Sequence, residues 1–251
     1  MVTDVHIGSG REGPAAVGRE RIAVALDVPT LDEAVGLART LESAVGWCKG
    51  GLELFAAHGP QAVAAVRRHA PVFLDVKLHD IPTTVERAAR RIAELDVGLL
   101  TVHASGGPAM VQAAVEGLGD AGRVLAVTVL TSLSDADLAA VNAPPAAEQV
   151  PALAEMAVAA GAPGLVCAPR DLVAVRRAVG HDVMLVTPGI RPSGSGDDDH
   201  ARAATPAAAA RDGADLLVVG RPITRADDPV AAAQAIAAEL DEVSRPGTVD
   251  A

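Results

Sequence analysis

The residues best suited to chemistry lie in one stretch, 73–84, which reads FLDVKLHDIPTT. Its apolar residues predict a buried strand, and Asp75 and Lys77 interrupt that strand. Strand side chains alternate between two faces, so Asp75 and Lys77 project from the same face and Val76 and Leu78 from the other. Because an unpaired buried charge is costly, a charged strand face indicates either a structural ion pair or a site for proton transfer.

The two lysines of the chain, Lys49 and Lys77, are the only ones among its 21 basic residues, and both lie at the ends of predicted strands. An ammonium group can donate a proton where an arginine cannot. Asp27, at the end of an earlier apolar run, adds another carboxylate. Titratable groups gather at functional sites, so we interpret Asp27, Lys49, Asp75 and Lys77 as a functional cluster.

The strand ends at Asp80-Ile81-Pro82, where a helix is predicted to begin. Asp is a favoured helix N-cap and Pro is favoured in the first helical turn. Asp80 is therefore either the N-cap of this helix, a further carboxylate of the site, or both. Apolar residues at intervals of three and four predict that the helix covers 81–95.

Eight short apolar runs alternate with Ala-rich amphipathic segments along the chain. The runs are 21–27, 45–49, 72–77, 98–103, 123–130, 164–167, 183–187 and 215–219. Eight strand-and-helix units in a chain of this length predict an α/β fold, the (β/α)8 TIM barrel; a doubly wound open sheet is the alternative. We expect a flexible N-terminal extension (1–19), a single catalytic barrel domain (20–243) and a C-terminal tail (244–251).

Polar residues recur just where the predicted strands end, which in barrel enzymes is the rim that carries the active site. They are Asp27, Lys49, Asp75, Lys77, His103, Thr131, Arg191, Gly220 and Arg221. The loops after the seventh and eighth strands commonly bind phosphate, so Arg191, Gly220 and Arg221 are interpreted as a phosphate site rather than as surface arginines beside a turn. The polar segment 192–199 between them is either a lid or a solvated connector. His103 is interpreted as a hydrogen-bonded core histidine.

The composition excludes several classes of protein. A formal charge of −11 argues against non-specific binding to nucleic acid or to an anionic membrane, and no apolar run is long enough to span a bilayer. Cys48 and Cys167 lie in apolar runs, and two buried thiols without a signal peptide favour a reducing cytoplasm. With no Tyr, one Trp and two Phe, the core must be packed mainly from Ala, Val, Leu and Ile.

The stretch from Asp75 to Thr84 resembles the D-x-K-x-x-D-I-x-x-T motif of the orotidine 5′-phosphate decarboxylases. The resemblance extends from about Arg21 to Leu240 and includes the TPGIR segment that ends at Arg191. It implies decarboxylation of orotidine 5′-monophosphate to uridine 5′-monophosphate without a metal or an organic cofactor. The shorter D-x-K-x-x-D core also occurs in sugar-phosphate decarboxylases and synthases, which remain the alternative, and a non-catalytic phosphate-ligand sensor is a third hypothesis.

The resemblance also implies roles for individual residues. Lys49, Asp75, Lys77 and Asp80 would form an alternating charge array, in which Lys77 stabilises and then protonates the carbanion at C6 of the pyrimidine. Asp80, Ile81 and Thr84 would reach into the site of a neighbouring subunit, which implies a homodimer. The remaining contacts would be made by Asp27 to ribose or base, Thr131 to the pyrimidine, and Arg191, Gly220 and Arg221 to the phosphate. His200 stands where the family usually has Gln, and Gly50 where it usually has Val; His200 is still expected to donate to the phosphate.

Overall fold

The computed structural model describes residues 18–192 and 204–244. In these residues eight parallel strands form a closed barrel in which each strand pairs with the next and β1 pairs with β8. The strands are β1 Ile22–Ala25, β2 Trp47–Gly51, β3 Val72–Leu78, β4 Leu99–His103, β5 Arg123–Val127, β6 Gly164–Val166, β7 Met184–Thr187 and β8 Leu216–Val219. All eight predicted strands are present, and the (β/α)8 prediction is confirmed.

The helices follow the strands and cover the outside of the barrel. They are α1 Leu31–Leu41, α2 Leu52–His58, α3 Pro60–Val66, α4 Pro82–Ala93, α5 Pro108–Leu118, α6 Asp135–Ala140, α7 Ala146–Ala159, α8 Leu172–Val179, α9 Pro206–Arg211, α10 Arg221–Thr224 and α11 Pro229–Ser244. A 3-10 helix, Gly18–Arg21, precedes β1, and the backbone N–H of Gly18 donates to Asp241 Oδ1 of α11 at 2.7 Å. None of the described helices is both long and apolar enough to cross a membrane.

The core has two parts because each strand presents one face to the helices and one to the barrel interior. The larger part, rich in Ala, Val, Leu and Ile, lies between the strands and the helices. The smaller part fills the interior and includes Trp47 and Phe73, both almost fully buried. The Trp47 side chain requires glycine at residue 98, since a Cβ there would lie 2.4 Å from the indole ring.

Both cysteines are buried, as predicted, and neither forms a disulfide. Burial raises the pKa of the Cys48 and Cys167 thiols to about 12. Only the thiolate is a strong nucleophile, so these side chains serve the packing of the barrel wall.

The amino ends of β7 and β8 are joined by the buried guanidinium of Arg176, which projects from α8. It donates to three backbone carbonyls and a carboxylate: Gly180 O (2.8 Å), Val183 O (2.7 Å), Gly213 O (2.5 Å) and Asp215 Oδ2 (2.8 Å). The same carboxylate oxygen accepts from the Leu185 N–H at 2.7 Å. In barrels this end supports stability rather than catalysis.

Replacing Arg176 with Met should therefore destabilise the barrel without altering the site at its other end. Three backbone carbonyls would lose this donor, and the Asp215 carboxylate would keep only the Leu185 N–H; together these unsatisfied acceptors cost on the order of 3 kcal/mol. We expect a loss of about that size in the free energy of unfolding measured with urea. The exposed neighbour Arg177 provides the control, and Arg177→Met should change that free energy by no more than about 0.5 kcal/mol. Equal effects of the two substitutions would contradict the role given to Arg176.

Candidate active site

A cavity of about 380 Å3 opens at the carboxyl end of the barrel. Its volume is that of a pocket for a small organic ligand. It is lined by Ala25, Asp27, Lys49, Phe73, Asp75, Lys77, Val127, Val129, Leu130, Thr131, Ser132, Val166, Pro188, Gly189, Val218 and Gly220. Six of the residues selected from the sequence are thus brought together: Asp27, Lys49, Asp75, Lys77, Thr131 and Gly220.

Four of these side chains, from β2, β3 and the loop after β1, form a continuous row of alternating charge. Lys49 Nζ lies 3.1 Å from Asp27 Oδ1 and 3.6 Å from Asp75 Oδ2. Lys77 Nζ lies 2.7 Å from Asp75 Oδ1. The row passes from the exposed Asp27, whose side chain is 60% accessible, through Lys49 at 8% and Asp75 at 15% to Lys77 at 26%. We call these four residues the charge row.

Asp75 is the member of the charge row that contacts both ammonium groups. Burial raises the pKa of its carboxyl group, but the charges of Lys49 and Lys77 and hydrogen bonds from Lys77 and Thr101 outweigh burial, so the pKa lies below its ordinary value. Asp75 is therefore ionised at neutral pH and holds both lysines by charge.

Lys77 reaches the cavity through an irregular end of β3. The register between β3 and β4 shifts after the Leu74–Leu100 pair, and Lys77 has a left-handed backbone with φ of 48°. Asp75 and Lys77 project toward the same site, as the alternation predicts, but the local backbone departs from a regular strand. That irregularity could not be predicted from the apolar pattern.

Two residues near the charge row were missed by the sequence reasoning. Thr101, fully buried on β4, donates to Asp75 Oδ1 and accepts from the Lys77 N–H, each at 2.9 Å. Gly51 lies beside Asp27, and a Cβ there would be 2.7 Å from Asp27 Oδ1 and 3.2 Å from Lys49 Nζ. A hydroxyl within an apolar strand, and a glycine two residues after a site lysine, are the signals that point to them. Gly50 is not under this steric constraint, because a Cβ there would have no atom within 4 Å.

The interpretation of Asp80 as a helix N-cap is wrong. The N-cap of α4 is Ile81, which makes no side-chain capping bond, and Pro82 is the first helical residue. Because a residue before proline is held in an extended conformation, the helix begins one residue later than Asp80 would require. The Asp80 carboxylate instead accepts from the N–H of Ile81 at 2.7 Å.

Asp80, Ile81 and Thr84 do not line the cavity of their own chain. All three are exposed, and Ile81 is 66% accessible, which makes it one of the most exposed large apolar residues among those described. Asp80 forms no ion pair with Lys77. Asp80, which was predicted to be the fourth member of an alternating charge array, is thus not part of the charge row of its own chain.

Of the residues selected for phosphate binding, only Gly220 is among those that line the cavity, whereas Arg191 and Arg221 are not. Gly220 lines the cavity and is the N-cap of α10, whose first residue is Arg221. Arg191 follows β7, and its backbone N–H donates to Ala204 O at 3.0 Å. Neither Arg191 nor Arg221 forms a salt bridge with a carboxylate of the described residues. His200 and most of the 192–199 segment lie outside the described residues.

His103 is not the hydrogen-bonded core histidine that we expected. Its ring is only half-buried, and its centre lies 5.2 Å from that of His79. Burial, together with the neighbouring His79 and Lys77, lowers the pKa of His103 although Asp75 opposes this. His103 is the last residue of β4 and is close enough to Lys77 and Asp75 for their charges to affect its pKa.

The residues described include no group of three or more His, Cys, Asp or Glu arranged to hold a metal ion. A closed parallel eight-stranded barrel, with paired charges and a cavity at its carboxyl end, defines a (β/α)8-barrel enzyme. Residues 20–236 match the model of the orotidine 5′-phosphate decarboxylase / HUMPS family. The chain belongs to this family.

Relatives and solved structures agree with the family assignment. Over 223 residues the chain is 59% identical to an orotidine 5′-phosphate decarboxylase of Anaeromyxobacter sp. (strain K), covering 88% of this chain and 98% of the relative. It is 54% identical to the enzyme of that name from Thermobifida fusca, covering 88% and 96%. The crystal structure of orotidine 5′-phosphate decarboxylase from Lactobacillus acidophilus matches with a TM-score of 0.79 at 38% identity, covering 88% of this chain and 98% of that one.

The electrostatics of the charge row predict that Lys49→Met raises the pKa of Asp75. Lys49 supplies the largest of the effects that lower this pKa, and burial, which raises it, would remain. Because the folded-state pKa is depressed, ionised Asp75 stabilises the fold above the pKa of an unfolded Asp, and that contribution is lost as pH falls through the folded value. A carbon-13 NMR titration of the carboxyl group measures the change. Lys49→Arg keeps the charge and should keep most of the depression; an unchanged pKa in Lys49→Met would contradict the assignment.

Proposed function

We propose that this chain decarboxylates orotidine 5′-monophosphate to uridine 5′-monophosphate, the last step of de novo pyrimidine nucleotide synthesis, with Lys77 as the catalytic acid. The observation that carries the proposal is the charge row on one side of the cavity, in which Lys77 Nζ lies 2.7 Å from Asp75 Oδ1. Membership of the family and the name shared by the curated relatives support the choice of reaction.

The chemistry explains why such a row is needed. Loss of carbon dioxide from C6 leaves an electron pair in the plane of the pyrimidine ring, where the π-system cannot delocalise it. A site stabilises such a charge with a cation that is already in place, because no reorganisation is then required. Lys77 is that cation. Its Nζ gives a proton to C6 and forms the new C–H bond, and the neutral amine regains a proton from solvent.

The rest of the cavity would bind the parts of the nucleotide that do not react. We assign the ribose to Asp27 and Lys49, the pyrimidine to Thr131, and the phosphate to Gly220, Arg221 and Arg191. The phosphate group is remote from the reacting carbon, so its binding energy can be used to orient the base and exclude water. The positions of Gly220 and Thr131 in the cavity lining support this division.

A homodimer would complete the site. Within one chain the charge row ends on Lys77, while Asp80 is exposed outside the cavity lining and Ile81 exposes its apolar side chain to solvent. We propose that Asp80, Ile81 and Thr84 of a second copy enter the cavity and that Asp80 then extends the row beyond Lys77. The two free thiols favour a reducing cytoplasm as the location of this dimer.

Lys77→Ala should abolish turnover while preserving nucleotide binding. The substitution removes both the stabilising cation and the proton donor, effects that together exceed about 10^4-fold in kcat. Ultraviolet absorbance follows the loss of orotidine 5′-monophosphate, and calorimetry gives the Kd for uridine 5′-monophosphate. Near-normal turnover in the variant would contradict the role of Lys77.

The same assay with a chelator tests the alternative within the family. Sugar-phosphate decarboxylases and synthases of this barrel type usually require magnesium. Loss of orotidine 5′-monophosphate that continues in excess chelator would support the proposed reaction. No turnover by the unsubstituted chain, with or without magnesium, would contradict it.

Mixing the inactive variants Lys77→Ala and Asp80→Ala should restore activity if the site is shared. In a mixed dimer one of the two sites has both defects and the other has none. With random exchange half of the dimers are mixed, so about one quarter of all sites are intact and activity should approach about a quarter of the unsubstituted value. Native mass spectrometry of differently tagged subunits verifies the exchange. Verified exchange without recovery would show that Asp80 acts within its own chain.

A further inference from the structure

We propose that Thr101 is the positioning residue that fixes Lys77 and Asp75 relative to each other for the decarboxylation. This inference rests on the proposed function. It concerns a residue of β4 that does not line the cavity and whose hydroxyl group joins two members of the charge row.

The register of the sheet places Thr101 opposite the irregular part of β3. Leu74 pairs with Leu100 and Leu78 pairs with Val102, so the three residues 75–77 stand opposite the single residue Thr101. Such a bulge disrupts the ladder of backbone hydrogen bonds. The Lys77 N–H is satisfied by the side chain of Thr101 at 2.9 Å.

The backbone of Lys77 needs this support. A φ of 48° is unusual for a residue other than glycine, and such conformations persist only where the surroundings hold them. Val or Ala at residue 101 would leave the N–H of Lys77 without this partner. The Thr101 hydroxyl therefore stabilises the backbone turn that directs the Lys77 side chain into the cavity.

The geometry also fixes the direction of both hydrogen bonds. A threonine hydroxyl has one hydrogen to donate, and Thr101 Oγ1 accepts from the Lys77 N–H. Its own hydrogen is directed to Asp75 Oδ1 at 2.9 Å, the same oxygen that Lys77 Nζ contacts at 2.7 Å. One buried hydroxyl thus holds Lys77 by its backbone and Asp75 by its carboxylate. A displacement of Lys77 or of Asp75 is therefore passed on to the other residue through this hydroxyl.

This arrangement predicts a specific kinetic defect in Thr101→Val, which keeps the shape of the side chain but removes the hydroxyl. The reacting ammonium would lose its fixed position, whereas the proposed ribose and phosphate contacts would remain. We expect kcat to fall about 10- to 100-fold, as for the loss of a hydrogen bond to a charged group, with KM changed by less than about 3-fold. Thr101→Ser keeps the hydroxyl and should retain kcat within about 3-fold.

A pH profile separates positioning from general destabilisation. The charged and titratable groups that face Asp75 are Lys49 of β2, Lys77 of its own strand and His103 of β4, with Asp27 beyond Lys49 and His79 beside His103. Losing the Thr101 bond raises the pKa of Asp75, so the acidic limb of kcat should move to higher pH in Thr101→Val and stay in place in Thr101→Ser.

The matched control is Thr128→Val. Thr128 is also buried, directly after β5, but its hydroxyl donates to the backbone carbonyl of Val166 at 3.1 Å instead of to a carboxylate. This variant loses a buried hydrogen bond of similar length, and its kcat and pH profile should match those of the unsubstituted chain. Equal kcat values and pH profiles in Thr101→Val and Thr128→Val would overturn the inference.

A measurement without substrate distinguishes failure of this inference from failure of the proposed function. Amide hydrogen exchange at Lys77 should become at least about 10-fold faster in Thr101→Val and remain slow in Thr101→Ser and Thr128→Val. Unchanged exchange at Lys77 would overturn the positioning role even if kcat falls. If the unsubstituted chain fails to decarboxylate orotidine 5′-monophosphate, the proposed function and the kinetic effect are both overturned, and the exchange result alone decides whether Thr101 holds Lys77.

Discussion

The geometry of the site depends on one carboxylate, that of Asp75, placed between two ammonium groups. Lys49 and Asp75 retain only 8% and 15% side-chain exposure, so each would be costly to bury alone. Their mutual contact, extended by Asp27 at one end and Lys77 at the other, offsets that cost. Removal of Asp75 would leave Lys77 without its carboxylate partner, and removal of Lys49 would leave the partly buried Asp75 with one ammonium group instead of two. The side chains of the charge row therefore constrain one another, and the catalytic lysine we propose is held by the same interaction that makes its burial tolerable.

The barrel supplies both the adjacency and the space for this row. Strands β1, β2 and β3 are consecutive neighbours in the sheet, so residues near their carboxyl ends meet without any long connection. On each of β2 and β3 the interior face changes character along its length, from Trp47 to Lys49 and from Phe73 to Asp75. The two buried aromatic rings fill the barrel interior on the amino side of the charges. Small residues near the carboxyl ends of the strands leave space for the cavity: Ala25 lines it and Gly51 lies beside Asp27.

Sequence patterns predicted the barrel and the charged side of the cavity because both follow from regular periodicity. Eight apolar runs gave eight strands, and alternation placed Asp75 and Lys77 on one side of β3. The sequence-based predictions failed where a local feature overrides the regular strand or helix periodicity. Pro82 moved the start of α4 past Asp80, and Thr101 gained its role from a register shift that no single strand reveals. His103, which was expected in the core, is the last residue of β4 and only half-buried, because the strand ends where the site begins.

The charge row also accounts for where the negative charge goes in the proposed proton transfer. The row of Asp27, Lys49, Asp75 and Lys77 is neutral, and the group on C6 carries one negative charge, first as carboxylate and then as carbanion. When Lys77 gives its proton to C6, the negative charge passes from the nucleotide to the row. Asp75 then faces a neutral amine, and Lys49, 3.6 Å from its Oδ2, remains as the compensating cation. At such distances in a partly buried site the attraction is several times stronger than in water. In the proposed mechanism Lys49 therefore favours the step without touching the reacting carbon.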